Sequence, residues 1–368
     1  MNSRLVENNK EYLIQTTNDI QLGSVSSEVF VNGTLADAVR LPHPEQIKPE
    51  EVLSIVKATH SDKKKEVESL LKAYRDVMDG GNPQMMYHLG LAFYYKMFVE
   101  EARDLLLAAT SLDSEFHEAF NVLGQIELAL SNFQLSIAAA EKAVRIRPEY
   151  ADYRNNLGEA YLAARRLKEA QREFDKAIEI NLYYSDAYFN YGLALLVEAL
   201  GPDKAEVLPN LVSKAVDYFT KASLTNPDYN NAAFERGLDA LKAQEAKHGF
   251  KLMKSVRESK KIEHGRRYAL YHLKYALYPQ WITEKAVADR ISFLQEEVTK
   301  NPGYVDLYIE LSRCYLEQAR ISWKKGIDSY RKTLEINSAL EKVAAYVDRA
   351  EDAYEAINEV IGEIDKKG

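Results

Sequence analysis

The chain has 368 residues, with 48 Lys and Arg against 56 Asp and Glu, a formal charge of −8 and 46% hydrophobic residues; it is therefore a folding sequence, and its acidic balance argues against wholesale nucleic-acid binding. Its one cysteine, Cys314, excludes a disulfide framework or a cysteine-built metal site within the chain. No basic start leads into an apolar run between Met1 and Gln15, and no stretch reaches the roughly 18 apolar residues of a membrane span, so a cytoplasmic location is the expectation.

The first element is a β module over residues 10–45. Between Glu11 and Leu41 the texture is β-branched (EYLIQTT, SVSSEVFV, TLADAVRL), and Asn32-Gly33 favours a tight type I′ turn, so two to three antiparallel strands are predicted. Asn32-Gly33-Thr34 also matches a glycosylation sequon, but with no secretory signal the turn is the preferred reading. A sheet this small needs a partner. Amphipathic linking helices over residues 48–82 supply one through Val52, Leu53, Ile55, Val67, Leu70, Leu71, Tyr74 and Val77, before Asp79-Gly80-Gly81-Asn82-Pro83 stops one helix and starts the next.

From residue 83 the chain repeats itself. Gly90, Gly124, Gly158 and Gly192 are each 34 residues apart, and Ala102/Ser136/Ala170, Leu106/Ala140/Phe174 and Ala109/Ala143/Ala177 keep the same beat. Each unit reads as two helices, with small residues letting them approach and large ones filling the space between. The units are 83–116, 117–150, 151–184 and 185–229; in the last, GPDKAEVLPN delays the second helix until Ala215, Phe219 and Ala222. Residues 230–337 are a degenerate continuation of the array. They are read as a first helix around Gly237, a basic insertion at 242–267, a partner helix in RRYALYHLKYALYPQ, a helix over 284–301, and a sixth helix pair from Val305 through Gly326 to Leu334.

Phe120, Leu123-Gly124, Ala143 and Pro148, and then Leu157-Gly158, Tyr161, Ala170, Phe174 and Ala177, resemble the tetratricopeptide repeat pattern. The resemblance implies a mainly α fold: an α-solenoid of helix-turn-helix repeats over 83–337, here with a short N-terminal antiparallel β-meander and a long C-terminal capping helix over 338–366. In that last helix Leu340, Val343, Val347, Ala350, Tyr354, Ile357, Ile361 and Ile364 form a heptad seam. The seam can cap the array or make a homodimer through residues 340–364.

No phosphate loop, dinucleotide fingerprint, metal-protease helix, C-x-x-C or nucleophile elbow is found, and His88, His117 and His272 have no recurring ligand spacing. Hence no catalytic residue, metal or cofactor is expected, and the chain is not read as an enzyme. The resemblance implies instead that first helices line a concave groove. That face carries Tyr87, Leu91, Tyr94, Asn121, Gln125, Asn155, Asn156, Glu159, Phe189, Asn190, Leu193 and Phe234. Asn amides donate and accept at once, which suits an extended peptide backbone. The cationic clamp that some members use for acidic tails is absent, its places being held by residues such as Tyr87, Leu91, Asp152 and Asp186.

A second surface feature is basic. Ten Lys or Arg stand against three Glu between Lys242 and Lys274, so Lys247, Lys251, Lys254, Arg257, Lys261, Arg266 and Arg267 form a candidate anion-binding patch leading into Tyr268, Tyr271, Tyr275, Tyr278 and Trp281. The same pattern suits a docked helix with a solvated face. The expected function is a non-enzymatic scaffold or adaptor whose partners are one or more proteins, bound as a helical or extended segment in the groove, in an assembly resembling bacterial regulatory complexes. The alternative is an RNA-binding or anionic-surface-binding protein working through residues 242–281; nucleic acid is otherwise not expected as a partner.

Overall fold

A computed structural model of the chain describes residues 1–7, 9–44, 47–201, 208–259, 284–300, 302, 305–337 and 339–367. It divides into two compact units, residues 1–280 and 281–368. The first unit opens with four antiparallel strands, β1 (Asn2–Glu7), β2 (Lys10–Asp19), β3 (Ser24–Val31) and β4 (Thr34–Pro42), paired in chain order as a meander. Asn32 and Gly33 both take positive φ, 49° and 83°, and Val31 pairs with Thr34, which is the two-residue turn the sequence predicts. The module starts at Asn2, not at residue 10, so there is one strand more than expected. NSRLVE has only one strong strand former, Val6, and its pairing with Lys10–Gln15 supplies what its own residues signal weakly.

Residues 48–82 form one helix rather than several. Helix α1 (Pro49–Gly80) runs 32 residues because Pro49 sits in its first turn, no Gly or Pro interrupts it, and Gly81 ends it with φ 63°. Tyr12, Ile14 and Val29 of the sheet, Val67, Leu70 and Leu71 of α1, and Phe93 and Phe98 of the first repeat share one apolar cluster. The module is thus the N-terminal cap of the array. Polar contacts lock the junction: the Tyr12 hydroxyl donates to Glu101 at 2.6 Å, Lys10 lies 3.2 Å from Glu101, and Asp37 and Glu66 share Lys63 and Lys96 at 2.6–3.2 Å.

The helix pairs follow: α2 (Pro83–Tyr95) with α3 (Val99–Leu112), α4 (His117–Ala129) with α5 (Phe133–Ile146), α6 (Ala151–Ala163) with α7 (Leu167–Ile180), and α8 (Ser185–Ala199) with α9 (Pro209–Thr225). Each of the first three pairs turns on a left-handed residue, Met97, Ser131 or Arg165, and the next amide reaches back five residues: Phe98 to Phe93, Asn132 to Glu127, Arg166 to Tyr161. The close approach is set by glycine. A side chain at Gly158 would stand 2.5 Å from the Phe174 ring, and one at Gly192 would stand 2.9 Å from Phe219.

The fifth pair corrects the expected basic insertion. Helix α10 (Ala232–Lys242) turns on Gln244, the Glu245 amide reaches Ala240, and the helix that follows, α11 (246–259), packs back with Met253 against Gly237. Met253 stands 16 residues after Gly237, as Phe174 does after Gly158. Its apolar side, Ala246, Met253 and Val256, is buried in the core of the array. The lysines made this segment read as an insertion, whereas they are the solvated side of an ordinary second helix. The expected partner helix RRYALYHLKYALYPQ lies outside the described residues.

Among the described residues the second unit has three helices, α12 (Glu284–Lys300), α13 (Val305–Ile336) and α14 (Glu341–Lys367). A sixth helix pair was expected between Val305 and Leu334, but α13 is continuous over 32 residues: EQARISWKK contains no Gly, Pro, Asn or Asp, and Gly326 is absorbed inside the helix. Val287, Ile291 and Leu294 of α12 bury Leu307 and Cys314 of α13. Part of the heptad seam of α14 packs on α13. Val347 is buried, the Trp323 indole donates to the Ala350 carbonyl at 2.9 Å, and Arg320 reaches the Tyr354 hydroxyl at 3.2 Å. Among the described residues no helix is long and apolar enough to cross a membrane.

Two outcomes test these interfaces. Gly158→Val should cost about 1–3 kcal/mol by forcing the two helices apart, whereas Gly326→Ala, where a Cβ meets nothing within 4 Å, should stabilise by roughly 0.5–1 kcal/mol; urea unfolding midpoints decide both. Burial pushes the Asp37 and Glu66 carboxyls up, but Lys96 and Lys63 outweigh it and hold both below the ordinary range. Their contribution is present above the unfolded-state pKa of about 4 and is lost as pH falls through the lower folded value. Lys96→Met should therefore move the onset of acid unfolding, followed by circular dichroism, to higher pH.

Candidate functional site

The first helices α2, α4, α6, α8 and α10 bear the twelve groove candidates, because the 34-residue beat returns the same helix face in each repeat. Five of them, Asn121, Asn155, Asn156, Glu159 and Asn190, form one network. Asn156 donates to the Asn121 side-chain oxygen at 2.9 Å, and Asn190 donates to Asn155 at 2.8 Å and to Glu159 at 2.8 Å. Asn155 approaches Asn156 at 3.5 Å, which joins the two halves. Each strong bond between asparagines links a residue to one 35 positions earlier, so the amides bridge repeats. Val122 occupies the place equivalent to Asn156 and ends the row.

The apolar candidates are placed differently from the expectation. Leu91, Phe189, Leu193 and Phe234 are core residues, with Phe189 fully buried, stacked on Tyr229 at 4.7 Å and edge-on to Phe219 at 5.0 Å. Phe189 and Phe234 were expected on the groove face, but they are buried between the fourth and fifth repeats. Asn121, Asn155, Glu159 and Asn190 are also buried, whereas Tyr87, Tyr94, Gln125 and Asn156 remain partly accessible. Tyr87 packs on Phe116 with ring centres 5.2 Å apart.

The basic patch also divides. Lys247, Lys251 and Lys254 are exposed on α11, and Lys254 lies 3.7 Å from Glu258. Arg257 turns the other way, placing its guanidinium 2.6 Å from Glu159, which the expectation had assigned to a separate surface. Burial depresses the basicity of Arg257, but Glu159, followed by Tyr229 and Asp186, more than restores it, so the net shift is upward. Tyr229, which donates to Asp186, completes the surroundings. Lys261, Arg266 and Arg267 lie outside the described residues. Sequence reasoning grouped Arg257 with the lysines of this segment, because charge composition does not tell which side of the helix each side chain takes.

The histidines follow suit. His117 is buried with its Nδ1 2.7 Å from the Tyr153 hydroxyl, a contact between second and third repeats, and His60 bridges Ser3 and Thr16 beneath the sheet at 2.7 and 2.9 Å. Among the described residues no group of His, Cys, Asp and Glu could hold a metal ion.

A family model for the tetratricopeptide repeat matches residues 117–150 and 151–184, the second and third helix pairs. Among solved structures, MamA is 27% identical with a TM-score of 0.37, the match covering 45% of this chain and 92% of that one. YrrB, a TPR protein described as having an unusual peptide-binding site, is 19% identical with a TM-score of 0.35, covering 56% and 97%. TTC0263, a thermophilic TPR protein of Thermus thermophilus, is 16% identical with a TM-score of 0.35, covering 64% and 100%. No curated protein matches the chain.

The network gives a direct expectation. Asn190→Ala removes the donor from both Asn155 and Glu159 in a buried setting and should destabilise by about 1–3 kcal/mol, while Asn156→Ala, at a partly accessible position, should cost less than about 1 kcal/mol. Urea unfolding of the two variants compares them.

Proposed function

We propose, from the premise that this is a tetratricopeptide-repeat protein, that it is a non-enzymatic scaffold which takes a helical or extended segment of a partner protein along the concave face of its first helices. The observation that carries this reading is the row of amides from Asn121 through Asn156 and Asn155 to Asn190. Side chains fixed by one another lose little freedom on binding, and the partly accessible Asn156 and Gln125 keep hydrogen-bonding capacity for a backbone laid beside them. Tyr87 and Tyr94 add partly exposed aromatic surface at the first repeat, the residue type that dominates interface energetics. A cytoplasmic regulatory assembly is the setting that suits such a scaffold.

The alternative, an anionic ligand held by α11, draws only on Lys247, Lys251 and Lys254 among the described residues. Those lysines oppose the buried Ala246, Met253 and Val256, which is the arrangement of a solvated second helix. Salt separates the two readings. Capture from native lysate by the full chain should recover proteins that survive a wash at roughly 0.5 M salt, since amide and aromatic contacts depend little on ionic strength and lysine contacts to a polyanion depend on it steeply. A Tyr87→Ala/Gln125→Ala/Asn156→Ala variant should lose them. Recovery of the same proteins by that variant would sink the groove reading.

A further inference from the structure

Helix α13 is flanked along two of its sides. On one, Leu307 and Cys314 are buried against α12, and Glu310 receives Arg290 at 3.0 Å. On the other, Trp323, Arg320 and Arg331 reach Ala350, Tyr354 and Glu351 of α14. A third side remains, and it is exposed along the helix from Tyr308 to Ile336. Two ridges run along it. Ile309, Leu316, Trp323 and Tyr330 make one, each seven residues after the last, and Tyr308, Tyr315 and Ile336 stand on the other. Between the ridges Ser312, Ala319, Gly326 and Thr333 recur at the same interval, and a Cβ on Gly326 would meet nothing within 4 Å.

This side carries no charge. Every charged residue between Tyr308 and Ile336 falls on another side of the helix, the reverse of a helix whose open face is made for water. Its polar groups are already engaged. The hydroxyls of Ser312, Ser329 and Thr333 donate to carbonyls of their own helix at 2.8–3.0 Å, the Trp323 indole is bonded to Ala350, and the Tyr315 hydroxyl accepts from Gln295 at 2.7 Å. Covering the face leaves none of these groups without a partner, so burial is not opposed by their desolvation.

The order of sizes says what covers it. Ile309, Ser312, Leu316 and Ala319 lie 12, 9, 5 and 2 residues before Ile321, and Thr333, Tyr330, Gly326 and Trp323 lie the same distances after it. Two copies of α13 placed antiparallel about Ile321 therefore set Ile309 on Thr333, Tyr330 on Ser312, Leu316 on Gly326 and Trp323 on Ala319. Each layer joins one large side chain to one small one, which is how two helices interdigitate at close range. A parallel pair would instead set Trp323 on Trp323 and Gly326 on Gly326. The area is sufficient too. At about 200 Å² for a fully covered side chain of this size, the exposed fractions of the seven large residues, 43% for Trp323 and 84% for Ile336 among them, amount to about 650 Å² per copy and about 1,300 Å² for a pair, within the roughly 1,200–2,000 Å² of a stable interface.

We propose that the protein forms a homodimer through this face of α13, antiparallel about Ile321, with a second copy of the chain as the occupant. The surface differs from the 340–364 seam, part of which packs on α13 and, through Ala350, holds the Trp323 indole in place. The proposal does not depend on the groove reading.

Sedimentation velocity of the full chain tests it, and wild type should be a dimer at about 50 µM. Ala319→Glu, at an exposed position, should keep the wild-type circular dichroism and weaken the dimer about a hundredfold, because its carboxylate faces Trp323 of the other copy without a cation. Ala319→Leu separates a fitted face from a merely sticky one. Added methyl groups strengthen unspecific apolar association, but here they fill the space Trp323 needs and should weaken the dimer about tenfold. Lys324→Glu, off the face, should change nothing. A short bis-maleimide should join two copies of a Ser322→Cys variant, since the two-fold brings residue 322 beside itself, and should not join Tyr308→Cys, which lies beside Ile336 of the other copy; wild type, whose lone Cys314 is buried, is the control. A monomeric wild type at about 50 µM, a dimer untouched by Ala319→Glu or tightened by Ala319→Leu, or cross-linking through residue 308 overturns the proposal.

Discussion

A glycine on one helix opens a space that a side chain of the next can enter, and glycine on the first helix sets how closely each of the five described helix pairs of the array approaches. Leu106, Ala140, Phe174, Phe219 and Met253 each fill the space that Gly90, Gly124, Gly158, Gly192 and Gly237 leave open. The residue filling that space varies in size, yet the backbone that receives it does not. The repeat length follows, since the turn between the helices and the loop to the next pair must return the glycine to the same face. The amide network depends on that return as well, because Asn121 and Asn156, or Asn155 and Asn190, meet only if successive first helices stand in register.

Much of this was legible in the chain. The glycine beat gives the first four helix pairs, and Asn32-Gly33 gives the hairpin turn, because both signals come from residues whose local backbone or steric demands have few alternatives. The fifth pair was harder. Met253 stands where earlier repeats have Leu106, Ala140, Phe174 and Phe219, and the charged neighbours of Met253 drew attention to the solvated side of the helix rather than to its apolar one. The continuous α13 was missed for the opposite reason: a glycine at 326 and a tyrosine at 330 imitate repeat landmarks, while nothing between Val305 and Lys325 breaks a helix.

The candidate site divides along similar lines. The asparagines were readable as a set, since identical residue types returned at nearly the same position in consecutive repeats. Their burial was not, because it depends on residues brought to them from other repeats. Phe189 shows this well: its sequence position is that of a groove residue, and only the arrival of Tyr229 and Phe219 from later in the chain puts it in the core. The abundance of tyrosine, 24 against 12 phenylalanines, has a similar origin in part, as Tyr12, Tyr153 and Tyr229 sit in apolar surroundings while their hydroxyls bond Glu101, His117 and Asp186.

Solenoids built from nearest-neighbour contacts have low contact order and can lose structure from either end, one repeat at a time. The bond from Glu159 to Arg257 interrupts that freedom. It ties the third repeat to the fifth, so fraying of α11 must first release a charge from a buried carboxylate, and the repeats between the two residues are enclosed in a loop closed at both ends. At the other terminus the sheet and α1 share an apolar cluster with the first repeats and restrain them in turn. An array of this kind melts less like a row of independent links and more like a single globular domain.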